Sequence, residues 1–287
     1  MTTLAPPSAP PPLTPGNRTA LRVLLVIAAT VIVVAFVAAL VAAALGIASL
    51  RVTNDGKDLP GGTTALLIDA SDVSVRVTSD PAASTARADL RTVGSSRGAR
   101  PALDVTTDAG ETRIRVTTGP GRIVDFGGPS ELVVTLPPAV AARLSVTTRQ
   151  DDGTLTVDAD LARLVARSAD GDVILNGAVH VVDVTARDGD VRSRKPLSVN
   201  ESFSVDSVDG DVAVTFANPA PRRITATTGS GDVSISVPPT GPYLVRTRSL
   251  DAASVDVPET TDPATAVSEV TVRSDDGSVS VDTRRHG

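Results

Sequence analysis

The sequence predicts an all-β fold: a β-solenoid, a β-helix-like stack of roughly 18–21-residue coils, preceded by an N-terminal transmembrane helix. Three observations predict it. The turn Asp-Gly-Asp-Val occurs at Asp170–Val173, Asp188–Val191 and Asp209–Val212, with near-copies at Asp152–Leu155, Ser230–Val233 and Asp276–Val279. From residue 64 onward, short runs of Val, Ile and Thr alternate with polar residues, the period-two pattern of half-buried strands. Residues Val23–Leu50 are 28 consecutive uncharged, mainly apolar positions.

Composition narrows the function classes. Cysteine is absent from the 287 residues, which excludes disulfides, thiolate metal sites and a cysteine nucleophile. Aromatics are 2% with no Trp, so stacking platforms for single-stranded nucleic acid or sugars are not expected. A net charge of −6 also argues against nucleic acid as a partner.

Residues 1–22 carry six prolines in the first fifteen positions and read as a disordered Pro-rich cytosolic arm. Residues 23–50 follow as the anchor. A hydrocarbon core of ~30 Å needs about 20 apolar residues, so this run is long enough to span it. A cleaved signal peptide is the rival reading, but its apolar region runs only about 7–15 residues. Arg18 and Arg22 on one side balance Arg51 and Lys57 on the other, so the positive-inside rule gives no orientation. A long polar domain after one early span points to a single-pass protein of the cell membrane, with a cytosolic N-terminus and an extracytoplasmic C-terminal domain. Residues 51–63 hold Asn-Asp-Gly and Pro-Gly-Gly and read as a linker. The solenoid domain is 64–283, with an irregular or capping part at 64–140 and regular repeats at 141–283. Ala139–Leu144 after Pro137-Pro138 makes at most one helical turn, and 284–287 is a tail.

The turn glycines are Gly153, Gly171, Gly189, Gly210, Gly231 and Gly277, separated by 18, 18, 21, 21 and 46 residues. The last gap is about two periods, and Leu250–Val255 fills it as a degenerate copy. Such a period marks a repeat architecture. Taking the Val or Leu of each turn as position zero, positions −9, −7, 0 and +2 are apolar in every copy except at Thr148 and Ser193. Residues between them are mostly polar or small, so each strand turns one row inward and one outward. A lone unit could not bury its apolar face, whereas stacked units form a continuous narrow core. A β-sandwich of hairpins is the structural rival; the near-constant register of the turn chemistry favours the solenoid. Stacked in chain order, the coils would leave Val279–Arg285 as one open end, able to pair with another chain if its charges do not blunt it.

The run Leu132–Val157, the repeated Ser/Thr-x-Gly-Asp-Val turns through Val233, and the Val-Pro-Pro…Tyr243-Leu-Val run together resemble one bacterial domain family. It is a β-solenoid family of unknown function labelled "putative adhesin", commonly found behind a single membrane anchor. The resemblance covers roughly residues 64–283. It implies a surface role and brings no catalytic residues.

Stacking in register would align the turn carboxylates into two ladders, Asp172, Asp190, Asp211, Asp232 and Asp152, Asp170, Asp188, Asp209. Neighbours would stand about 4.8 Å apart. Like charges at that spacing repel by only about 1 kcal/mol in water, and the rows could attract calcium through Asp170, Asp172, Asp188, Asp190, Asp209 and Asp211. The preferred reading is structural: each Asp caps its own backbone in an Asx-type turn, and Gly supplies positive φ. A carbohydrate-active β-helix enzyme would need paired carboxylates near a basic residue such as Arg163, Arg167 or Arg187, usually with an aromatic platform. His180 and His286 read as surface and tail histidines. No nucleophile triad, phosphate loop or metal-spacing motif occurs, Gly119–Gly121 and Gly127-Gly128 being loop glycines. The expectation is therefore a membrane-anchored, non-enzymatic surface solenoid without cofactor. Its partners would be the membrane, through the anchor, and a protein or envelope polymer on the exposed Thr/Ser/Asp/Arg rows. A calcium-binding extracellular module is the alternative, and a carbohydrate-active enzyme the more distant one.

Overall fold

Strands that alternate Val, Ile or Leu with Ser, Thr, Asp or Arg have one face to bury, and here two sheets bury it against one another. A computed structural model describes residues 26–37, 50–95, 102–117 and 130–283. The chain divides into two units, Met1–Leu50 and Arg51–Gly287.

In the first unit, residues 26–37 are helical. Val26, Ile27, Ile32 and Phe36 are exposed on that helix, and Thr30 Oγ1 donates to the carbonyl of Val26 at 2.8 Å. Among the described residues no helix is long and apolar enough to cross a membrane. The expected span 23–50 is thus helical over 26–37, Leu50 belongs to a strand instead, and 23–25 and 38–49 lie outside the described residues, as do the arm 1–22 and the tail 284–287 with His286.

The second unit is a two-sheet solenoid with a single core between 11-stranded and 10-stranded sheets. Each coil lays one strand in each sheet. The regular coils are β8/β9 (Ser145–Asp152, Leu155–Asp158), β10/β11 (Leu161–Asp170, Val173–Asn176), β12/β13 (Ala178–Asp188, Val191–Ser193), β14/β15 (Ser198–Asp209, Val212–Thr215) and β16/β17 (Arg223–Ser230, Val233–Val237). Successive coils pair in parallel and in register, as in Val173↔Val191↔Val212↔Val233. The apolar positions expected to face inward are all buried except Ser193, which is half-buried. Even Thr148 is enclosed, at 0% exposure. The parallel, in-register stacking excludes the hairpin sandwich.

The corner of each coil depends on glycine. Gly189 has φ +114°, and a Cβ there would stand 2.5 Å from the carbonyl oxygen of Gly171 on the coil below. Gly171, Gly210, Gly231 and Gly277 repeat this approach, each to the glycine of the adjacent coil, so the turn glycines form one column along one edge.

The order of coils departs from the sequence at both ends. The last two coils are β18/β19 (Tyr243–Arg248, Ala253–Asp256) and β20/β21 (Ser268–Asp276, Val279–Thr283). β20/β21 inserts between β16/β17 and β18/β19. Val279–Thr283 is therefore internal, and the open end expected there is β18/β19 instead. The 46-residue gap is one step in space: Gly277 sits directly on Gly231. Inward content accounts for the insertion. β20/β21 turns Val270, Val272, Val279 and Val281 into the core, all at most 1% exposed, whereas β18/β19 offers Val245, Thr247, Ala253 and Val255 at the matching positions. The more apolar coil takes the place covered on both sides.

At the other end, β2/β3 (Ala65–Asp72, Ser74–Ser79) lies against β8/β9, and β6/β7 (Glu111–Thr117, Ser130–Leu136) lies beyond it, all in parallel. Two antiparallel strands then close the stack: β4 (Arg87–Ser95) on β7, and β5 (Ala102–Asp108) on β6. The β5–β6 turn has positive φ at Ala109 (46°) and Gly110 (85°), the twist a tight hairpin needs. β1 (Leu50–Asp58) is the neighbour of β4, so the stretch expected as linker begins as a strand. The physical reason is the free edge of β4, whose backbone groups need partners. Arg87 of β4 also contacts Asp58 of β1 at 3.3 Å. A one-turn helix, Pro138–Ala141, follows β7 at the expected place.

Gly189→Ala should destabilise the solenoid by about 3 kcal/mol or more, combining backbone strain with a clash. Gly61→Ala, where a Cβ meets nothing within 4 Å, should be close to neutral. Urea unfolding of the two variants checks the contrast.

Candidate functional site

The corner places every sequence-singled carboxylate on one edge of the stack, yet the two rows behave differently. In the row after the glycines, Asp172, Asp190, Asp211 and Asp232, the side chain reaches across to the next coil. The backbone N–H of Asp190 donates to Asp172 Oδ1 (3.2 Å), that of Asp211 to Asp190 Oδ1 (3.1 Å), and that of Asp232 to Asp211 Oδ1 (2.8 Å). Ser278 completes the row, donating its N–H and its hydroxyl to Asp232 Oδ1 at 2.8 and 2.9 Å. The carbonyls of the same residues accept from the coil on the other side: the N–H of Val173 donates to the carbonyl of Asp190 (2.8 Å). These aspartates therefore do not cap their own turns as expected; each ties its coil to both neighbours. A strand spacing of about 4.8 Å is within reach of one Asp side chain, which is why the cross-coil partner wins. Arg192 adds a counter-charge, contacting Asp172 and, at 3.6 Å, Asp190.

The row before the glycines runs Asp170↔Asp188↔Asp209 in direct register, all three exposed. With Asp151, Arg187 and Val208 it borders a depression of about 490 Å³ that is open to solvent. Of the three arginines near the turns, Arg187 lines it; Arg163 and Arg167 lie earlier on β10 and are exposed. Among the described residues no three His, Cys, Asp or Glu side chains converge to hold a metal ion. His180 is exposed, and its Nδ1 accepts from the Asn200 amide at 3.1 Å. A smaller concavity of about 120 Å³ lies at the capped end among Leu59, Leu66, Ala86, Leu136, Val140 and Leu144, and its lining is mainly apolar.

Residues 68–282 of this two-sheet stack match the Toastrack DUF4097 family. The chain belongs to that family. The resemblance read from Leu132–Val157 onward thus holds, and the family is one of unknown function. Several solved structures resemble the Toastrack chain at low identity and low TM-score. A "putative adhesin" from Bacteroides fragilis is 12% identical, with 82% of this chain and 97% of that one covered and a TM-score of 0.44. A "putative adhesin" from Parabacteroides distasonis is 10% identical, with coverage of 80% and 97% and a TM-score of 0.46. A "putative lipid binding protein" from the same species is 10% identical, with coverage of 80% and 94% and a TM-score of 0.29. No curated protein matches the chain. Likeness at this level bears on neither ligand nor partner.

One set of residues in the Toastrack corner escaped the sequence pattern. Position −5 holds Gln150, Ser168, Ala186, Ser207, Thr228 and Ser274, stacked in register. All are buried, and the polar ones bond turn carbonyls from inside. Ser168 Oγ donates to Gly171 O (3.2 Å), Thr228 Oγ1 to Gly210 O (3.1 Å) and Ser274 Oγ to Gly231 O (2.8 Å). Extending the alternation −9, −7 by one more step would have found them.

The N–H of Ser278, and after it the Ser278 hydroxyl, holds the Asp232 carboxylate below its ordinary value. A depressed folded value contributes stability above the unfolded value of about 3.9, lost as pH falls through the folded one. Stability should therefore fall less steeply below about pH 4 in Asp232→Asn than in the parent; parallel denaturation curves would remove Asp232 from the acid response. For the two rows together, the melting midpoint should be the same in millimolar calcium as in chelator. A rise with calcium would assign the cation to the Asp170–Asp188–Asp209 row.

Proposed function

We propose that this protein is a membrane-anchored, non-enzymatic surface solenoid of the cell envelope, an adhesin-like scaffold or interaction module. One observation carries the reading: the outward side chains form rows in register across coil after coil. One such row is Arg149, Arg167, Thr185, Asp206, Thr227 and Arg273, each paired directly with the next. Rows of charge and hydroxyl repeating every ~4.8 Å suit a long repetitive partner, a protein strand or an envelope polymer, better than one small molecule. The use of Asp172, Asp190, Asp211 and Asp232 as ties between coils supports a structural duty for the acidic corner over acid–base chemistry. The anchor reading rests on the 28 uncharged residues from Val23 to Leu50.

Protease added to intact cells should remove the solenoid, and full protection would refute an extracytoplasmic placement. In the same cells, a photo-crosslinker at Arg167 or Asp206 should capture an envelope component, whereas one at the buried Val184 should capture none.

A further inference from the structure

The stack closes its two ends differently. At the N-terminal end the parallel coils are covered by antiparallel β4 and β5, with β1 beside β4. At the C-terminal end β18 and β19 are the last strands of their sheets, each paired in parallel on one side. The segment Pro258–Thr260 covers that edge at Tyr243, whose N–H donates to Pro258 O (2.8 Å) and whose carbonyl accepts from Thr260 N–H (2.9 Å). Leu244–Arg248 and Ala253–Asp256 remain as edges. The inward row is also left unfinished. Val245 and Val255 are half-buried and Ala253 is exposed, whereas Val270, Val281 and Val279, their partners one coil deeper, are at most 1% exposed. Leu250, at the turn between the two strands, is 78% exposed.

We propose that this end is a self-docking surface, at which two copies of the chain join by adding edge strand to edge strand. Each coil runs out along one sheet and back along the other, so β18 and β19 point in opposite directions. A two-fold axis parallel to the strands then lays β18 of one copy antiparallel to β19 of the second. The edges are complementary in charge: Arg246 and Arg248 are exposed on β18, and Asp256 on β19 with Asp251 just before it. They are also complementary in pattern. The register that sets Arg246 across from Asp256 sets Arg248 across from Ser254, Val245 across from Val257 and Thr247 across from Val255. Outward thus meets outward, and the half-buried row meets its like, twice over by symmetry. Backbone groups at both edges gain partners in the same step. The end of one coil offers less than the ~800 Å² per partner of a standard interface, so the association is reversible.

Sedimentation velocity of the full-length chain in mild detergent tests this. The parent should show a monomer–dimer equilibrium in about the micromolar range. Arg246→Asp and Asp256→Arg should each weaken the dimer at least about tenfold, because each homodimer then sets like charges face to face twice. An equimolar mixture of the two variants should restore the dimer, since both pairs across the axis become opposite again. Arg246 also contacts Glu269; should Arg246→Asp fail to fold, Asp256→Arg alone carries the comparison. A parent that stays monomeric up to about millimolar overturns the proposal, and so does a dimer indifferent to the reversals. The first of those results would leave the end to a strand from a different protein.

Discussion

Everything in this stack depends on one constraint: at the corner, two neighbouring coils approach so closely that no Cβ fits between them. Gly171, Gly189, Gly210, Gly231 and Gly277 each face the carbonyl of the preceding turn glycine at a distance that any side chain would fill. A slip of one residue would drive an Asp into that slot and turn the inward row outward. The corner therefore locks register for both sheets at once. Variation in coil length is pushed to the opposite side. The return between β11 and β12 is Gly177 alone, whereas β13 and β14 are joined by Arg194–Leu197. A register shift between Val179 and Val181 absorbs the irregularity of the longer coil.

Around that corner, residues of one type do two jobs. The aspartate after the glycine is a tie between coils, with its carbonyl bonded to one neighbour and its carboxylate to the other. The aspartate before the glycine stands in a solvated row where charge is tolerated because water screens it. Inside the bend, hydroxyls at position −5 satisfy carbonyls that the tight turn would otherwise leave buried without a partner. The turn is held from its outer face by carboxylates and from its inner face by hydroxyls. That arrangement allows a corner with so little apolar content to repeat without loosening.

Much of this was legible in the sequence because both periods are local properties of the chain. Alternation places Val146, Val157, Val184 and Val233 inward, and a glycine every 18 or 21 residues places the corners. The first coil was harder to see. Its turn runs Asp72-Val73-Ser74, with Asp72 in register with Asp152, and Val73 standing where the next coil has Gly153. The motif lapses there while the register persists. The direction of the Asp side chains was not legible either, because self-capping and cross-coil capping use the same residue beside the same glycine. Nor was the strand at Leu50–Asp58, whose composition reads as linker and whose pairing is decided by an edge supplied from β4.

Coil order is the feature furthest from the sequence, and it has a consequence for how the stack is made. β18 pairs along its length with β20 alone, and β19 with β21 alone. The coil formed by β18 and β19 is synthesised first but has no surface to dock on until Val270, Val272, Val279 and Val281 are seated against β16 and β17. Those valines lie in register with Ile224, Ala226, Val233 and Ile235 of β16/β17. The C-terminal strands thus act as an intervening layer, one that buries four valines and in doing so creates the edge on which the penultimate coil rests. A coil that carries Thr247 and Ala253 in its inward row gives up little by standing outermost. A coil with valine at all four positions would lose apolar burial at each of them. The same preference that fills the interior with the most apolar coil therefore decides which coil is left to face outward.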